Sequence, residues 1–458
     1  MRMITFILLI LLLCSTASFA ELKAFPTAEG YGRLAKGGRG GRVIEVTNLN
    51  DSGPGSFRNA VQAEGPRTVV FRVGGMIRLD SRIKVENGNL TVAGQTAPGK
   101  GIAIRDATFS VNGVEDVVIR FLRVRLGSEG GKGDGMSSPN SENVIWDHCS
   151  ISWTHDEAFS AHPTGNITLQ RSLISEALNY RRHGFAASVL GYVGSYHHNL
   201  LAHNQGRNVS MAGKNVDGNC WGKMDIRNNV VYNWGHRTTD GEIHMVNFVN
   251  NYYKPGPASE KFTAITCTFT DWCGGDQLYY ISGNVMPGHF GPDEVNKSYS
   301  VDGTPRGEFL VSEPVYPSYV STQTAEEAYE DVLDNVGCNV PMLDDHDKRI
   351  IQEVRDGTAT YGNGIPNHED EVGGYEDYPE VTRSADWDSD HDGMPDEWGT
   401  EKGLNPSDAS DGNGTNLSSI GYTNLEMYLN ELAGDFDTER KISVVPNAIR
   451  KEIISPNN

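Results

Sequence analysis

The chain has 458 residues, a formal net charge of −21 at pH 7 and 38% hydrophobic residues. This length suits one large domain plus a small one, and the acidity argues against nucleic acid as a partner. An anionic polymer is also a poor match for the overall charge, unless a local basic cleft lies on the acidic body.

Residues 1–20 read as a secretory signal peptide. Arg2 precedes an almost unbroken apolar run over 4–14, and Ser18-Phe19-Ala20 resembles a signal-peptidase site. The run is short for a membrane-spanning helix, and no later stretch is apolar enough to span. We therefore predict a secreted or periplasmic protein, cleaved near Ala20, with no membrane span.

Five cysteines remain after cleavage: Cys149, Cys220, Cys267, Cys273 and Cys338. The odd number rules out complete intramolecular pairing. Cys267 and Cys273 are close in sequence, and export favours a disulfide between them. Cys149 lies in an apolar run and is predicted to be a buried small residue instead of a nucleophile.

One theme returns between about residues 25 and 288: a short β-rich run ends in polar residues, often asparagine, before a turn. The intervals 145–167 and 228–250 each span about 22 residues, within the range of solenoid repeats. The runs are too short for helices, and hairpin signals are mostly absent. We predict an all-β parallel β-helix that stacks asparagine on asparagine. A β-sandwich is the alternative, although its turns would be more closely spaced.

Carboxylates flank the run at 146–153. Asp134 precedes this run, and Asp156 and Glu157 follow it at about one repeat from Asp134. Residues one coil apart can stack in a solenoid, so these three side chains are candidates for an oxygen-rich site. Hard oxygen ligands favour Ca²⁺. A solvated acidic loop is the alternative.

Basic residues occupy the later runs of the solenoid. Arg207 lies between Gly206 and Asn208, and other basic residues lie in neighbouring runs: Arg181, Arg182, Lys214 and Lys223. Together they are predicted to offset the acidity locally and to bind an anionic polymer. For Arg207 alone, a salt bridge is the alternative.

The chain changes character near Thr324. Residues 325–333 read as an amphipathic helix capped by Thr324. Residues 347–355 read as a second helix that ends at Gly357. We expect both helices to pack on the solenoid, giving a domain over 21–361, followed by an acidic linker over 362–384.

A small module is predicted over 385–434, closed by a helix over 424–432 and followed by a tail over 435–458. Alternating aspartates with Gly393 at a sharp turn are typical of a Ca²⁺ loop. The ligands expected in this loop are Asp388, Asp390, Asp392 and Asp396. Gly399 stands at the twelfth position, so the loop is not a complete EF-hand, and a solvated acidic turn is the alternative.

Several motifs over 25–361 resemble those of pectate lyases of polysaccharide lyase family 1, in particular the bacterial secreted branch. They are FPTAEGYG (25–32), GRGGR (38–42), DSGPGSFR (51–58), WDHCS (146–150) and Asp156-Glu157. The resemblance implies a right-handed parallel β-helix and a carbon–oxygen lyase that uses Ca²⁺. It also implies an anionic polysaccharide such as pectate or pectin as the partner, and we expect a monomer.

The resemblance assigns roles to individual residues. Asp134 and Asp156 match Ca²⁺ ligands with Glu157 adjacent, and Arg207 matches the arginine that removes the proton α to the uronate carboxylate. Arginine is ordinarily protonated. Positive neighbours and bound Ca²⁺ are therefore expected to disfavour the cation at Arg207 and to stabilise an enolate-like intermediate.

The sequence departs from the family pattern at three places. Lys132 stands where a further aspartate ligand is expected, and Ser160 where another carboxylate often lies. A second basic residue a few positions after Arg207 is missing, and Lys214 is the candidate substitute.

Other functions remain open from the sequence. One is a lyase for a methyl-esterified or different anionic glycan with little need for metal. Another is a non-catalytic glycan-binding β-helix. A glycoside hydrolase would need a second well-placed carboxylate pair, and none stands out.

Overall fold

The computed structural model describes residues 21–212, 214–216, 219–272 and 274–436. Over these residues, short strands and turns repeat to form a parallel β-helix of about 10 turns. The predicted fold class is confirmed. The predicted signal peptide lies outside the described residues, as does the tail from residue 437. Among the described helices, none is long and apolar enough to cross a membrane.

Three parallel sheets form the walls of the β-helix. Sheet 1 contains Arg42–Val46, Arg67–Phe71, Leu90–Ala93, Glu115–Arg120, Glu142–Asp147, the end of Glu157–Gln170, Val193–His197, Lys223–Arg227, Met245–Val249, Leu278–Ser282 and Leu310–Val311. Sheet 2 contains Ile83–Val85, Phe109–Val111, Met136–Ser137, the start of Glu157–Gln170, Phe185–Gly191, Ser210–Ala212, Thr239–Glu242, Ile265–Phe269 and Tyr299–Gly303. Sheet 3 contains Val73–Arg78, Ile102–Arg105, Arg123–Arg125, Ser150–Ser152, Leu173–Ser175, Leu200–Ala202, Val230–Tyr232 and Tyr252–Lys254, with Val381–Thr382 added antiparallel.

The interior is a continuous apolar column because every coil repeats the same in-and-out alternation. Val117, Val144 and Ile167 are in register on successive strands of sheet 1, and all three are fully buried. Each such side chain contributes roughly 1.5–3 kcal/mol of burial free energy. A shift of one residue would turn this set outward, so the alternation fixes the register from coil to coil.

An asparagine ladder lines one turn of the β-helix, as the repeated Asn residues predicted. The backbone N–H of Asn199 donates to Oδ1 of Asn229 at 3.1 Å, and the N–H of Asn229 donates to Oδ1 of Asn251 at 3.1 Å. The N–H of Asn251 donates to Oδ1 of Asn284 at 2.9 Å. These buried side chains pair backbone groups that the sheets leave unpaired at the turn.

Six α-helices accompany the strands in the described residues, and one of them, Phe57–Gln62, packs Phe57, Ala60 and Val61 into the central core. The α-helices are Phe57–Gln62, Val295–Ser298, Ala325–Asn335, Asp345–Asp356, Asp396–Lys402 and Asn424–Leu432. Short 3₁₀ turns are Tyr31–Leu34, Gly94–Thr96, Ser128–Gly130, Tyr180–Arg182, Glu369–Val372, Ala385–Trp387 and Asp411–Asn413.

Both helices predicted after residue 324 are confirmed. Ala325–Asn335 begins at Thr324, whose hydroxyl accepts the N–H of Glu327 at 3.2 Å in a capping box. Asp345–Asp356 begins two residues before the predicted start, because Asp344 caps it, and it ends at Gly357 with φ +71°. Apolar residues of both helices pack against sheet 3: Val332, Ile350 and Val354 against Leu173, Leu200 and Val230.

The C-terminal module packs on the outer face of the first coils of sheet 1. Met394, Leu425 and Tyr428 form one buried cluster with Val70 and Ala93. The predicted closing helix is present as Asn424–Leu432. The module is therefore docked on the β-helix through an apolar interface.

The cysteines form no disulfide among the described residues. Cys149, Cys267 and Cys338 are free and buried, which confirms the prediction for Cys149. Cys273 lies outside the described residues. Because Cys267 is a free thiol in the core, the expected pairing of Cys267 with Cys273 finds no support.

Candidate active site

Four consecutive coils bring the predicted residues to one end of sheet 2. The N–H of Gly135 donates to the carbonyl of Glu157 at 3.1 Å, which places Asp134 beside the Asp156-Glu157 pair. Phe185 is paired with Glu157 on one side and with Gly206 on the other. Arg207 therefore follows one coil beyond Phe185, on the same face as the carboxylates.

The three carboxylates converge. Ligand oxygens of Asp134, Asp156 and Glu157 lie within 4.8 Å of one another. Burial raises the pKa of Asp134 above its usual range; a hydrogen bond from Ser160 opposes this shift, and the charge of Asp156 adds to it. Close, partly buried oxygen donors of like charge fit the requirements of Ca²⁺. The spacing of these residues in the sequence predicted that they lie close together, and in the structure they do.

Arg207 contacts this cluster directly. Its guanidinium forms an ion pair with Glu157 and lies 4.3 Å from the ring centroid of Phe185. Burial lowers the pKa of Arg207 and the positive charge of Arg237 lowers it further, whereas Asp156 is among the carboxylates that oppose the shift. Contact with Glu157 also favours the guanidinium cation. The environment thus contains both the desolvation and the positive neighbour that a basic arginine requires.

Three neighbours of the cluster were missed from the sequence. His183 Nε2 lies 2.9 Å from Asp156 Oδ1. The Arg237 guanidinium lies 5.5 Å from the ring centroid of Phe185, which Arg207 also contacts. Asp240 holds Arg237 at 2.6 Å and 2.8 Å through two nitrogens. The one available signal was position, because Arg237 lies one coil after Arg207.

The other predicted basic residues fall at different distances from the cluster. Arg181 and Arg182 are exposed on the 3₁₀ turn Tyr180–Arg182, immediately before His183. Lys214 begins a strand, Lys214–Val216, that pairs antiparallel with Asn219–Trp221, and its side chain lies outside the described part of the chain. Lys223 begins a strand of sheet 1 and does not join the cluster on sheet 2.

Two of the three departures from the family pattern, Ser160 and Lys132, can be placed in the structure. The Ser160 hydroxyl donates to Asp134, so serine occupies a place at the edge of the carboxylate cluster. Lys132 is exposed on the loop that leads to Asp134. The cluster therefore has three carboxylates where more were expected.

A second carboxylate group lies in the C-terminal module. Ligand oxygens of Asp388, Asp390 and Asp392 lie within 4.8 Å of one another. Burial raises the pKa of Asp388 to about 6 and that of Asp392 to about 8, with neighbouring carboxylates adding to both shifts. Asp396 is held elsewhere, because its oxygens accept the N–H and the hydroxyl of Ser389 at 2.8 Å and 2.6 Å. Asp396 is therefore not one of these three residues, and its role as a ligand stays a prediction.

Comparison with known proteins finds relatives over nearly the whole chain. The chain is 35% identical over 426 residues to "Probable pectate lyase C" of Aspergillus flavus, covering 90% of this chain and 94% of the relative. It is 36% identical over 444 residues to the protein of the same name in Emericella nidulans, covering 93% and 96%. No protein-family model matches the chain.

Among solved structures, jun a 1, the major allergen from cedar pollen, matches with a TM-score of 0.50 and 16% identity. The match covers 68% of this chain and 92% of the allergen, and it shows the fold alone. The curated relatives named above are fungal, so they give no support to the expected bacterial branch. Their identity and coverage nevertheless settle the family: the chain belongs to the pectate lyases.

Proposed function

We propose that the protein cleaves polygalacturonate and related uronate polymers by β-elimination, with Arg207 as the base and Ca²⁺ assisting. One observation carries the proposal. In a chain of the pectate lyase family, Arg207 contacts Glu157 at the edge of a cluster formed with Asp134 and Asp156. These three carboxylates are the proposed Ca²⁺ ligands.

The reaction needs a base, an acidified carbon and a leaving group. Neutral Arg207 removes the proton on the carbon α to the uronate carboxylate, and the C–H electron pair forms a carbon–carbon double bond. The bond to the 4-O-linked sugar breaks, and the leaving oxygen takes up a proton. Ca²⁺, when bound, supplies positive charge that attracts the uronate carboxylate and acidifies the α proton. The products are a shortened chain and an unsaturated uronate end, and no water is consumed.

Glu157 links the cation site to the base. Its carboxylate is paired with Arg207, and this pairing favours the protonated guanidinium. A carboxylate that also coordinates a cation is a weaker partner for Arg207. Glu157 thereby provides a physical reason for the base to become active only in the loaded site.

Basic side chains around the cluster supply binding for the polymer. Arg237 is the strongest candidate, since it shares the Phe185 ring with Arg207 and its side chain is 31% exposed. It takes the role for which Lys214 was considered. Arg181 and Arg182 extend the positive surface beyond His183, where an anionic chain leaving the site would pass.

The test is the ultraviolet absorbance of unsaturated uronates, measured with polygalacturonate and with methyl-esterified pectin, each with and without chelator. We expect product from polygalacturonate and its loss in chelator. Arg207→Lys and Arg207→Ala should both lower turnover by at least about 1,000-fold, because they remove the proton acceptor. Arg42→Lys, at an exposed arginine on the first coil, is the matched control and should leave turnover intact.

Each alternative has its own outcome in this assay. No unsaturated product from any polymer would exclude the lyase and leave a glycan-binding β-helix. Full activity in chelator, especially on methyl-esterified pectin, would favour the metal-independent lyase. Retained turnover in both Arg207 variants would remove Arg207 as the base.

A further inference from the structure

The C-terminal module holds buried carboxylates that the proposed reaction does not use. Asp388 is completely buried, and its Oδ1 has no hydrogen-bond partner among the described residues. Its other oxygen accepts the N–H of Gly393 at 3.0 Å. Asp390 Oδ2 is likewise buried without a partner. Unpaired buried carboxylate oxygens are costly, so these atoms point to a missing positive partner.

A second loop, which carries another carboxylate, lies against Asp392 of the first loop. Asp411 Oδ2 accepts the N–H of Asn405 at 2.8 Å, while Asp411 Oδ1 is buried and has no hydrogen-bond partner among the described residues. The backbone of this loop lies against the first one, because a Cβ built on Gly412 would lie 3.3 Å from Cβ of Asp392. Asp411 therefore has the same unpaired oxygen as the aspartates that it approaches.

We propose that the two loops share one structural Ca²⁺ site, with Asp388, Asp390 and Asp392 from the first loop and Asp411 from the second, which holds the module on the β-helix. Only oxygen ligands are present, and they come from two irregular loops, an arrangement that suits Ca²⁺ better than the strict octahedron of Mg²⁺. The site differs from the predicted loop because Asp411 takes the place of Asp396.

The first loop is also the point at which the module meets the first coils. Gly393 has φ +88°, and a Cβ on it would lie 3.2 Å from Val43 and 3.4 Å from Val70. Arg72 donates to the backbone oxygen of Asp388 at 3.3 Å and pairs with Glu45 at 2.7 Å. These contacts require the same conformation of the first loop that places Asp388, Asp390 and Asp392 close together.

The second loop makes its own contact with the β-helix. Asn413 Nδ2 donates to the carbonyl of Gly41 at 3.1 Å, and Asn424 Nδ2 donates to the carbonyl of Asp411 at 2.8 Å. The second loop is thus joined to the first coil on one side and to the closing helix on the other. A cation bound between the loops would tie all these contacts together.

Asp396 provides a matched control. It lies in the same segment and carries the same charge, yet Ser389 engages both of its oxygens. Asp396→Asn removes one negative charge from the module without removing a proposed ligand. Asp390→Asn and Asp411→Asn remove one proposed ligand each, from different loops.

The experiment uses the full chain with Asp134→Asn and Asp156→Asn added, so that the active-site cluster does not contribute. Calorimetric titration with Ca²⁺ should show one site per chain. Asp390→Asn and Asp411→Asn should weaken that binding by about tenfold or more, since affinity follows the number of charged ligands. Asp396→Asn should leave it unchanged. In limited proteolysis, Ca²⁺ should protect the segment 385–434 in the parent and the Asp396 variant only.

Several results would overturn the proposal. No Ca²⁺ binding by the parent, or no protection of 385–434, would remove the site altogether. Both measurements are made on the unaltered module, in a parent that is changed only at the active site, and the protection is measured in the unsubstituted chain as well. Unchanged affinity in Asp411→Asn would remove the second loop, and a loss in Asp396→Asn equal to that in Asp390→Asn would overturn the ligand set. The site is independent of the proposed reaction, so Asp390→Asn alone should keep full turnover in saturating Ca²⁺.

Discussion

The two carboxylate clusters of this chain use the same chemistry in opposite settings. At the active site, each carboxylate lies against a polar or charged side chain: Ser160 for Asp134, His183 for Asp156 and Arg207 for Glu157, whose Oε1 makes this ion pair but no hydrogen bond among the described residues. In the C-terminal module, oxygens of three aspartates have no hydrogen-bond partner among the described residues: Asp388, Asp390 and Asp411. Carboxylates with polar partners can exchange them for a cation and a substrate, whereas unpaired buried oxygens call for an ion that stays.

Exposure separates the two clusters further. The Asp156 side chain is 43% exposed, while that of Asp388 is completely buried. Asp156 is therefore open to a ligand from solvent, whereas Asp388 is not. We infer that one cluster serves chemistry and the other serves stability.

Asp134→Asn should produce the largest effect and the clearest separation. It removes one of three charged ligands, and we expect turnover of polygalacturonate to fall about 1,000-fold, equivalent to ~4 kcal/mol in the activation barrier. Because burial and Asp156 raise the pKa of Asp134, the ionised group is unfavourable in the metal-free fold. The melting temperature in chelator should therefore not fall. If turnover and the melting temperature in chelator both fell, the active-site cluster would also serve stability, and the proposed difference between the two clusters would be wrong.

The pH dependence of the metal-free protein should sharpen the same comparison. The pKa of Asp388 is about 6 and that of Asp392 about 8 in the fold, against about 3.9 for an unperturbed aspartate. Between pH 4 and 8 the folded state then holds more protons than the unfolded state, so stability in chelator should fall as pH rises through this window. The loss from Asp388 alone is on the order of 3 kcal/mol.

Thermal unfolding in chelator and in Ca²⁺ across this pH range is the measurement. Saturating Ca²⁺ should remove most of the pH dependence, because it supplies the counter-charge that protons otherwise provide. Asp396→Asn should behave like the parent. A melting temperature in chelator that does not change with pH would show that the module does not raise the pKa of Asp388 and Asp392.

Arg237→Gln should give the smallest effect, confined to the active site. Loss of a charged contact with a uronate carboxylate is expected to raise KM for polygalacturonate about tenfold, or ~1.4 kcal/mol. We expect kcat to fall as well, because the charge of Arg237 also lowers the pKa of Arg207. On methyl-esterified pectin, where that carboxylate charge is masked, KM should change little. An equal rise in KM on both polymers would indicate that Arg237 supports the fold around Phe185 instead of binding substrate.

The fold could be predicted because its determinants repeat. Short β-rich runs ending in asparagine recur along the chain, and the structure stacks them, with Asn199, Asn229 and Asn251 in one ladder. The two helices after residue 324 could be predicted equally well, because the residues at their ends are local signals. Thr324 begins one helix and Gly357 ends the next, as their capping chemistry requires.

Proximity between residues of different coils could be predicted only where their spacing in the sequence matches the length of a coil. Asp134, Asp156 and Glu157 were expected together because they are about one repeat apart. Arg237 was missed because the loops between coils vary in length, so sequence distance does not tell which basic residue meets Arg207. Asp411 was missed for a related reason: nothing in the first loop indicates that the second one folds back against Asp392.

The asparagine ladder limits how the β-helix can be lengthened. Each rung accepts the N–H of the rung before it and offers its own N–H to the next, from Asn199 to Asn284. A duplicated coil that carries an asparagine at the same position can be inserted without leaving an N–H unsatisfied, whereas a coil without one interrupts the series. Lengthening by whole coils is therefore open to evolution and to design, provided that the asparagine is copied with the coil.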